Sequence, residues 1–313
     1  MKFSSARKTA AVTVSLGLLL ATTACNRGDD AAAAGGTVTL AVSTLNNPFF
    51  VELRDGAQSA AEAAGLDLEV LDAQNDSATQ TNQLATAATS GTEGVIINPV
   101  DSDAAAASVS PLLSAETPIV AVDRTVNGAE IQSLVSSDNK AGGRQAADEL
   151  AKAMGGEGEI IILQGVAGTS ASRDRGAGFA EGLKAYPGIK VAAQQTANFD
   201  RAEALNVATN LLQAHSGVTG IFAENDEMAL GAIQALGNRA GSDVSVVGFD
   251  GTEGGFKAVQ DGTMTATIAQ QPAELGKRSV EVLAQLLDGE TVESSIPVPV
   301  TTVTTENVAD FVS

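Results

Sequence analysis

The chain of 313 residues has no tryptophan, one tyrosine, one cysteine and one histidine. A single cysteine excludes an intrachain disulfide. With one cysteine and one histidine there is no soft-ligand cluster for a structural or catalytic metal, so no metal and no cofactor is expected. Basic side chains are scarce, 18 against 38 acidic ones, which argues against nucleic acid as a partner. No phosphate loop or dinucleotide fingerprint follows any predicted strand. Because aromatic residues are so few, the placement of the nine phenylalanines carries information.

The amino terminus has the layout of an export signal. Lys2, Arg7 and Lys8 precede an uncharged run from Thr9 to Ala24, whose apolar centre at Val12 to Leu20 is shorter than the roughly 20 residues that span a bilayer. Residues 1–24 are therefore expected to be a signal peptide. Ala24-Cys25 directly after the run resembles a bacterial lipobox, with Thr22 where that pattern usually has Leu. Cys25 is thus expected to be lipidated, and residues 25–36, with NRGDDAAAAGG, to form a flexible tether. Removing the three leader cations leaves 15 basic against 38 acidic side chains, about −23, in an exported, membrane-anchored chain.

From Thr37 onward, short β-branched runs alternate with longer Ala-rich stretches of helical period. The runs are Val38 to Val42, Leu68 to Leu71, Val95 to Ile97, Ile119 to Val122, Ile160 to Leu163, Lys190 to Ala193, Gly220 to Phe222, Val244 to Val247 and Thr265 to Ile268. Most lack alternation, as strands covered on both faces do. This pattern predicts an α/β fold with parallel sheets flanked by helices. Asn47-Pro48, Asp76, Asp101, Asp200 and Asp226 read as helix starts, and glycines such as Gly65, Gly91 and Gly237 as stops. About 275 residues exceed one comfortable core and favour two lobes.

In open α/β sheets, ligands sit beyond the carboxyl ends of the strands. There the chain places Asn47, Phe49 and Phe50, then Asn98, then Asp123-Arg124, then a glycine-rich loop leading to Arg173 and Arg175. Phe199-Asp200, Asn225-Asp226, Phe249-Asp250 and Gln270 follow the later strands. Such a set suits a neutral polyol. Hydroxyls need carboxylate acceptors and guanidinium donors, carboxamides serve both ways, and the C–H faces of a sugar ring pack on aromatic rings. A phosphate would instead call for cations without aspartates. Simpler roles compete: Phe49 and Phe50 as core, Asp123-Arg124 as a surface ion pair, Phe249-Asp250 as a strand end with a cap, Asn98 as a turn residue before Pro99, Asp226 as a cap. One of Arg173 and Arg175 reads as a solvated charge, and His215 as exposed and idle.

Eight segments together resemble the periplasmic ribose-binding protein family: STLNNPFF at Ser43 to Phe50, INPVDSD at Ile97 to Asp103, VDR at Val122 to Arg124, SDN at Ser137 to Asn139, QGVAGTSASRDRG at Gln164 to Gly176, NDEMALG at Asn225 to Gly231, VVGFDGT at Val246 to Thr252 and TIAQ at Thr267 to Gln270. The resemblance covers about Val38 to Pro297 and weakens beyond it; the Pro187-Gly188 region looks like a small insertion. It implies two similar lobes joined by three crossings: 37–137 with 271–297, and 138–270 with 298–313. It implies sugar contacts at Asn47, Phe49, Phe50, Asn98, Asp123, Arg124, Arg175, Phe199, Asn225, Phe249, Asp250 and Gln270, choosing Arg175 over Arg173. It further implies a monomer that binds a monosaccharide, ribose above allose, galactose or xylose, and delivers it to the permease and ATPase of an ABC transporter.

Three other functions compete with this one. Asp123 and Asp250 could form a glycosidase carboxylate pair, but Arg124 is expected to keep Asp123 ionised, whereas a general acid needs a raised pKa. The chain is accordingly read as a binding protein and not an enzyme. A sugar-responsive regulator would place a basic helix-turn-helix before the lobes, where this chain has its signal segment. A sugar sensor that presents its ligand to a chemotaxis or sensing receptor is compatible with transport and is not separated from it by sequence.

Overall fold

The computed structural model describes residues 36–312. The expected signal peptide, Cys25 and all but the last residue of the tether lie outside the described residues. Among the described residues, no helix is long and apolar enough to cross a membrane.

The first stretch of chain runs β1 (Thr37–Val42), α1 (Pro48–Ala64), β2 (Asp67–Asp72), α2 (Ser77–Ser90), β3 (Gly94–Ile97), α3 (Ala105–Ser114), β4 (Ile119–Val122) and β5 (Ser133–Ser137). It continues through α4 (Asn139–Ala153), β6 (Glu157–Gln164), α5 (Ser170–Gly182), β7 (Gly188–Thr196), α6 (Arg201–Ala214), β8 (Val218–Ala223), α7 (Asp226–Leu236), β9 (Ser245–Asp250), α8 (Glu253–Gln260) and β10 (Ala266–Ala269). Helix α9 (Pro272–Leu287) and strands β11 (Ser295–Val298) and β12 (Thr301–Thr304) complete it. One six-stranded sheet has the order β11-β5-β4-β3-β1-β2 and the other β12-β10-β9-β8-β6-β7. All pairings are parallel except β10 with β12.

All nine β-branched runs become strands, whereas β5, β11 and β12 were not foreseen. Strand β5 reads SLVSS, with alternating burial and three serines in five residues. Strand β11 carries Pro297, which an edge strand tolerates because its outer N–H groups have no ladder partner.

Helices cover both faces of each sheet, so each sheet separates two cores. In β1, Leu40 packs with Phe50, Leu53 and Leu283, while its neighbour Ala41 faces Val95, Ile97 and Leu112. In β6, Ile160 and Ile162 join Phe179, Phe222 and Phe249, while Ile161 and Leu163 face α6 and α7. Phe179 and Phe222 stack at 4.1 Å and 6°, worth about 0.5–1.5 kcal/mol beyond their area. Helix pairs approach closely. A Cβ on Gly143 of α4 would fall 2.2 Å from the carbonyl oxygen of Arg175, and one on Gly178 of α5 would fall 2.2 Å from that of Lys140. In the other lobe, Gly56 and Gly276 play the same part between α1 and α9.

The chain passes between the sheets after β5, after β10 and between β11 and β12. These passages lie side by side: Asp138 N donates to Val298 O at 3.0 Å, and Gln271 Nε2 to Pro299 O at 2.9 Å.

Candidate functional site

Helix starts and strand ends aim the relevant side chains. Asn47 caps α1, its Oδ1 accepting from Phe49 N at 2.9 Å, which fixes the two phenyl rings edge to face at 5.0 Å. Asn98, at the end of β3, is wholly buried. Its Oδ1 accepts from Ser43 N at 3.2 Å, and its Nδ2 donates to Val122 O at 3.2 Å and to Asp123 Oδ2 at 3.1 Å. Arg124 donates from Nη1 to Pro99 O at 2.8 Å and lies with Nε 3.5 Å from Asp123 Oδ2.

From the other lobe, Arg175 on α5 donates from Nε to Asn139 Oδ1 at 2.8 Å and from Nη1 to Glu224 O at 2.6 Å and Asp250 Oδ1 at 3.2 Å. Gln270 Nε2 donates to the same Asp250 oxygen at 2.7 Å. Asn225 caps α7 through Met228 N and donates to Phe199 O at 3.3 Å. The guanidinium carbon of Arg124 lies 5.3 Å from the Phe50 ring centroid and 5.6 Å from that of Phe199.

Nine of the twelve predicted residues meet around one small space: Asn47, Phe49, Phe50, Asp123, Arg124, Arg175, Phe199, Asn225 and Asp250, with Ala171 as an unforeseen tenth. Asn98, Phe249 and Gln270 do not line it. They stand behind it, bonded to Asp123, packed under Arg175 and bonded to Asp250 respectively. Three lining residues adopt backbone conformations that L-residues seldom hold, Asp123 at φ 65°, Phe199 at 59° and Asp250 at 115°, and such outliers gather at ligand clamps.

The space is about 20 Å³, which is room for about one water. Asp123, Arg124, Arg175 and Asp250 are each no more than 4% exposed. Asp123 Oδ1, Arg124 Nε and Gln270 Oε1 are buried with no hydrogen-bond partner, and buried polar atoms of this kind ordinarily have one.

Burial also governs the charges. It pushes Asp250 up to about 8 against the pull of Arg175. It raises Asp123 as well, outweighing Arg124 and Arg175, and lowers Arg124. The expectation that Arg124 would keep the Asp123 pKa from rising is therefore corrected: burial raises it more than the adjacent cation lowers it.

Other expectations also change. Asp226 is not a cap, since Asn225 holds that position. Buried at the first turn of α7, Asp226 accepts from Gly251 N, Thr252 N, Thr252 Oγ1 and Thr267 Oγ1 at 2.7–3.1 Å. Arg173 is largely exposed yet bonds Asp103 Oδ2 of the first lobe at 3.2 Å. His215 is half-buried at the end of α6. Sequence reasoning missed Asn139 and Glu224, which hold Arg175 in place. Both sit where a strand has just ended, the position that marked the other candidates. No group of three or more His, Cys, Asp or Glu among the described residues is arranged to hold a metal.

The chain is 47% identical over 291 residues to the ribose import binding protein RbsB of Escherichia coli, covering 93% of this chain and 96% of that one. It is 40% identical to the ribose import binding protein RbsB of Bacillus subtilis, over 84% and 85% of the two chains. A crystal structure of an ABC transporter periplasmic solute binding protein from Actinobacillus succinogenes with bound D-allose superposes with a TM-score of 0.83 at 30% identity, covering 88% of this chain and 99% of that one. The periplasmic binding protein domain model matches residues 38–291. On sequence, topology and the two-lobed arrangement alike, the chain belongs to the periplasmic binding protein family.

Proposed function

We propose that this protein is the extracytoplasmic binding component of an ABC sugar importer and that it encloses D-ribose between its lobes. One observation carries the reading. Asn47, Phe49, Phe50, Asp123 and Arg124 from the first lobe meet Arg175, Phe199, Asn225 and Asp250 from the second, with unpartnered Asp123 Oδ1, Arg124 Nε and Gln270 Oε1 among and behind them. The aromatic rings would take the apolar faces of the sugar, and the orphaned atoms would take its hydroxyls. Similarity to two ribose import binding proteins favours ribose.

The mechanism follows from burial. Residues no more than 4% exposed cannot receive a sugar until the lobes separate. Neither lobe alone offers the whole contact set, so the sugar binds the closed form more strongly and shifts the population toward it. The closed protein then presents one shape to a permease and its ATPase.

Binding without turnover is the reading for Asp123 and Asp250. It rests on membership of a binding-protein family and no longer on a pKa argument. Acylation of Cys25 and tethering to the outer face of the cytoplasmic membrane complete the proposal; Cys25→Ser should release the protein from the membrane fraction.

Calorimetric titration with ribose, allose, galactose and xylose tests the assignment. Ribose should bind most tightly and be recovered unchanged. A stronger isotherm with allose would keep the binding role and replace the ligand. No heat with any monosaccharide, or turnover of a riboside, would overturn the function.

A further inference from the structure

Beside the sugar contacts, a second set of residues joins the lobes. Ser102 follows β3 in the first lobe and is wholly buried. Its N donates to Gly168 O of the second lobe at 3.2 Å, and its Oγ accepts from Ser170 N at 3.1 Å. Ser170 Oγ in turn accepts from Thr125 N of the first lobe at 2.9 Å. These hydrogen bonds cross between the lobes through two serines, and neither serine lines the sugar space.

Local structure accounts for the arrangement. Ser170 opens α5, where backbone N–H groups have no partner within the helix. Thr169 satisfies one of them from its own lobe, its Oγ1 accepting from Ser172 N at 3.4 Å. Ser102 satisfies another from the opposite lobe. The loop leading into α5 is held in shape by buried Glu224, whose Oε2 accepts from Gly165 N at 2.7 Å and from Ser172 Oγ. Chain neighbours carry these contacts into the cleft: Ser170 precedes Ala171 and Thr125 follows Arg124, and both of those residues line it.

Magnitudes single out the serines. The nearby ion pair of Arg173 with Asp103, at 3.2 Å, has side chains 45% and 61% exposed, so water and salt screen it and it contributes little. Ser102 and Ser170 are 0% and 7% exposed. Separating the lobes would exchange their hydrogen bonds for water, and each such bond favours the closed form by about two- to tenfold.

We propose that Ser102 and Ser170 are positioning residues for closure, a clasp outside the sugar contacts that retains whichever sugar is bound while the lining residues choose among sugars. The proposal deepens the binding-protein reading above and rests on it. Sugar that enters the open form is trapped by closing, so the clasp enters every dissociation constant as one common factor.

The test compares the whole unmodified protein with Ser102→Ala and Ser170→Ala, each titrated with ribose and with allose, while sugar release is followed by stopped flow. Each variant should raise both dissociation constants by the same factor, about two- to tenfold, through faster release, and leave the ratio of ribose to allose affinity unchanged. Constants that stay unchanged in both variants, or a ratio that shifts, would overturn the clasp. Should neither sugar bind the unmodified protein, the proposed function falls, and the clasp is then judged by amide exchange in the protein alone. Faster exchange at Thr125 in Ser170→Ala and at Ser170 in Ser102→Ala sustains it; rates equal to those of the unmodified protein overturn it.

Discussion

Arg175 meets Asp250 in a nearly dry environment. Nη1 donates to Oδ1 at 3.2 Å, and both side chains are 4% exposed. The same guanidinium lies 4.0 Å from the ring centroid of Phe249, the residue before Asp250. One cation thus rests on an aromatic face and reaches a carboxylate on the same strand, which fixes its position in the cleft.

Removing either partner should weaken sugar binding. Asp250→Ala is expected to cost about 1.5–3 kcal/mol, roughly 10- to 150-fold in dissociation constant, through lost charge-assisted hydrogen bonds. Arg175→Ala should cost about 2–5 kcal/mol, because it also leaves Asn139 Oδ1, Glu224 O and Asp250 Oδ1 buried without their donor. Calorimetry with ribose measures both, and an unchanged constant in either variant would remove that residue from the site.

Asp226 should matter for stability more than for affinity. Its four acceptor contacts tie the loop after β9 and the start of β10 to α7. Asp226→Ala leaves those donors buried without partners and is expected to destabilise by about 2–3 kcal/mol. Urea unfolding followed by circular dichroism would show it; a midpoint equal to that of the unmodified protein would contradict the account.

Stability should fall as pH rises from about 4 to about 8. Burial raises Asp226 to about 6, Glu224 to about 7 and Asp250 to about 8, from ordinary values of 3.8, 4.5 and 3.8. Between each ordinary value and its raised one, the native state holds a proton that the unfolded chain has released. The unfolded state then gains as pH increases. Exposed Asp76 is shifted the opposite way and acts below this window. Denaturation of the sugar-free protein at pH 5 and pH 8 checks the sign, and greater stability at pH 8 would reverse it.

Gly143→Ala should separate two helices. The added methyl would fall 2.2 Å from Arg175 O and 2.7 Å from Phe179 N, both backbone atoms. Overpacking of this kind costs about 1–3 kcal/mol. Because Arg175 rides on the displaced helix, ribose affinity should fall along with the melting temperature. A variant with native affinity would show that the helix can shift without moving the guanidinium.

Much of this was legible in the residues because two physical signals are strong. A strand buried on both faces is written in β-branched residues, as in β1, β3, β4 and β9. The end of such a strand is where function-bearing side chains accumulate, as Asn98, Asp123 and Asp250 do. Where burial is one-sided the strand signal fades, so serine-rich β5 passed unnoticed, as did β11 and β12 near the chain end. Asp226 was misread because a cap and a first-turn residue differ by one position. The support given to Arg175 by Asn139 and Glu224 depends on three segments meeting, which no single stretch of sequence displays. The upward shift of Asp123 was likewise invisible, since it depends on how completely the site excludes water.

The three adjoining chain passages also limit how the molecule can move. One linker would let the halves swivel freely, but passages coupled by Asp138 to Val298 and by Gln271 to Pro299 resist twisting and shear. Bending about the line across all three would break neither contact. The opening proposed for sugar entry would then resemble the cover of a book, in which a few degrees of backbone rotation near the spine become a gap of roughly several ångströms at the far edge.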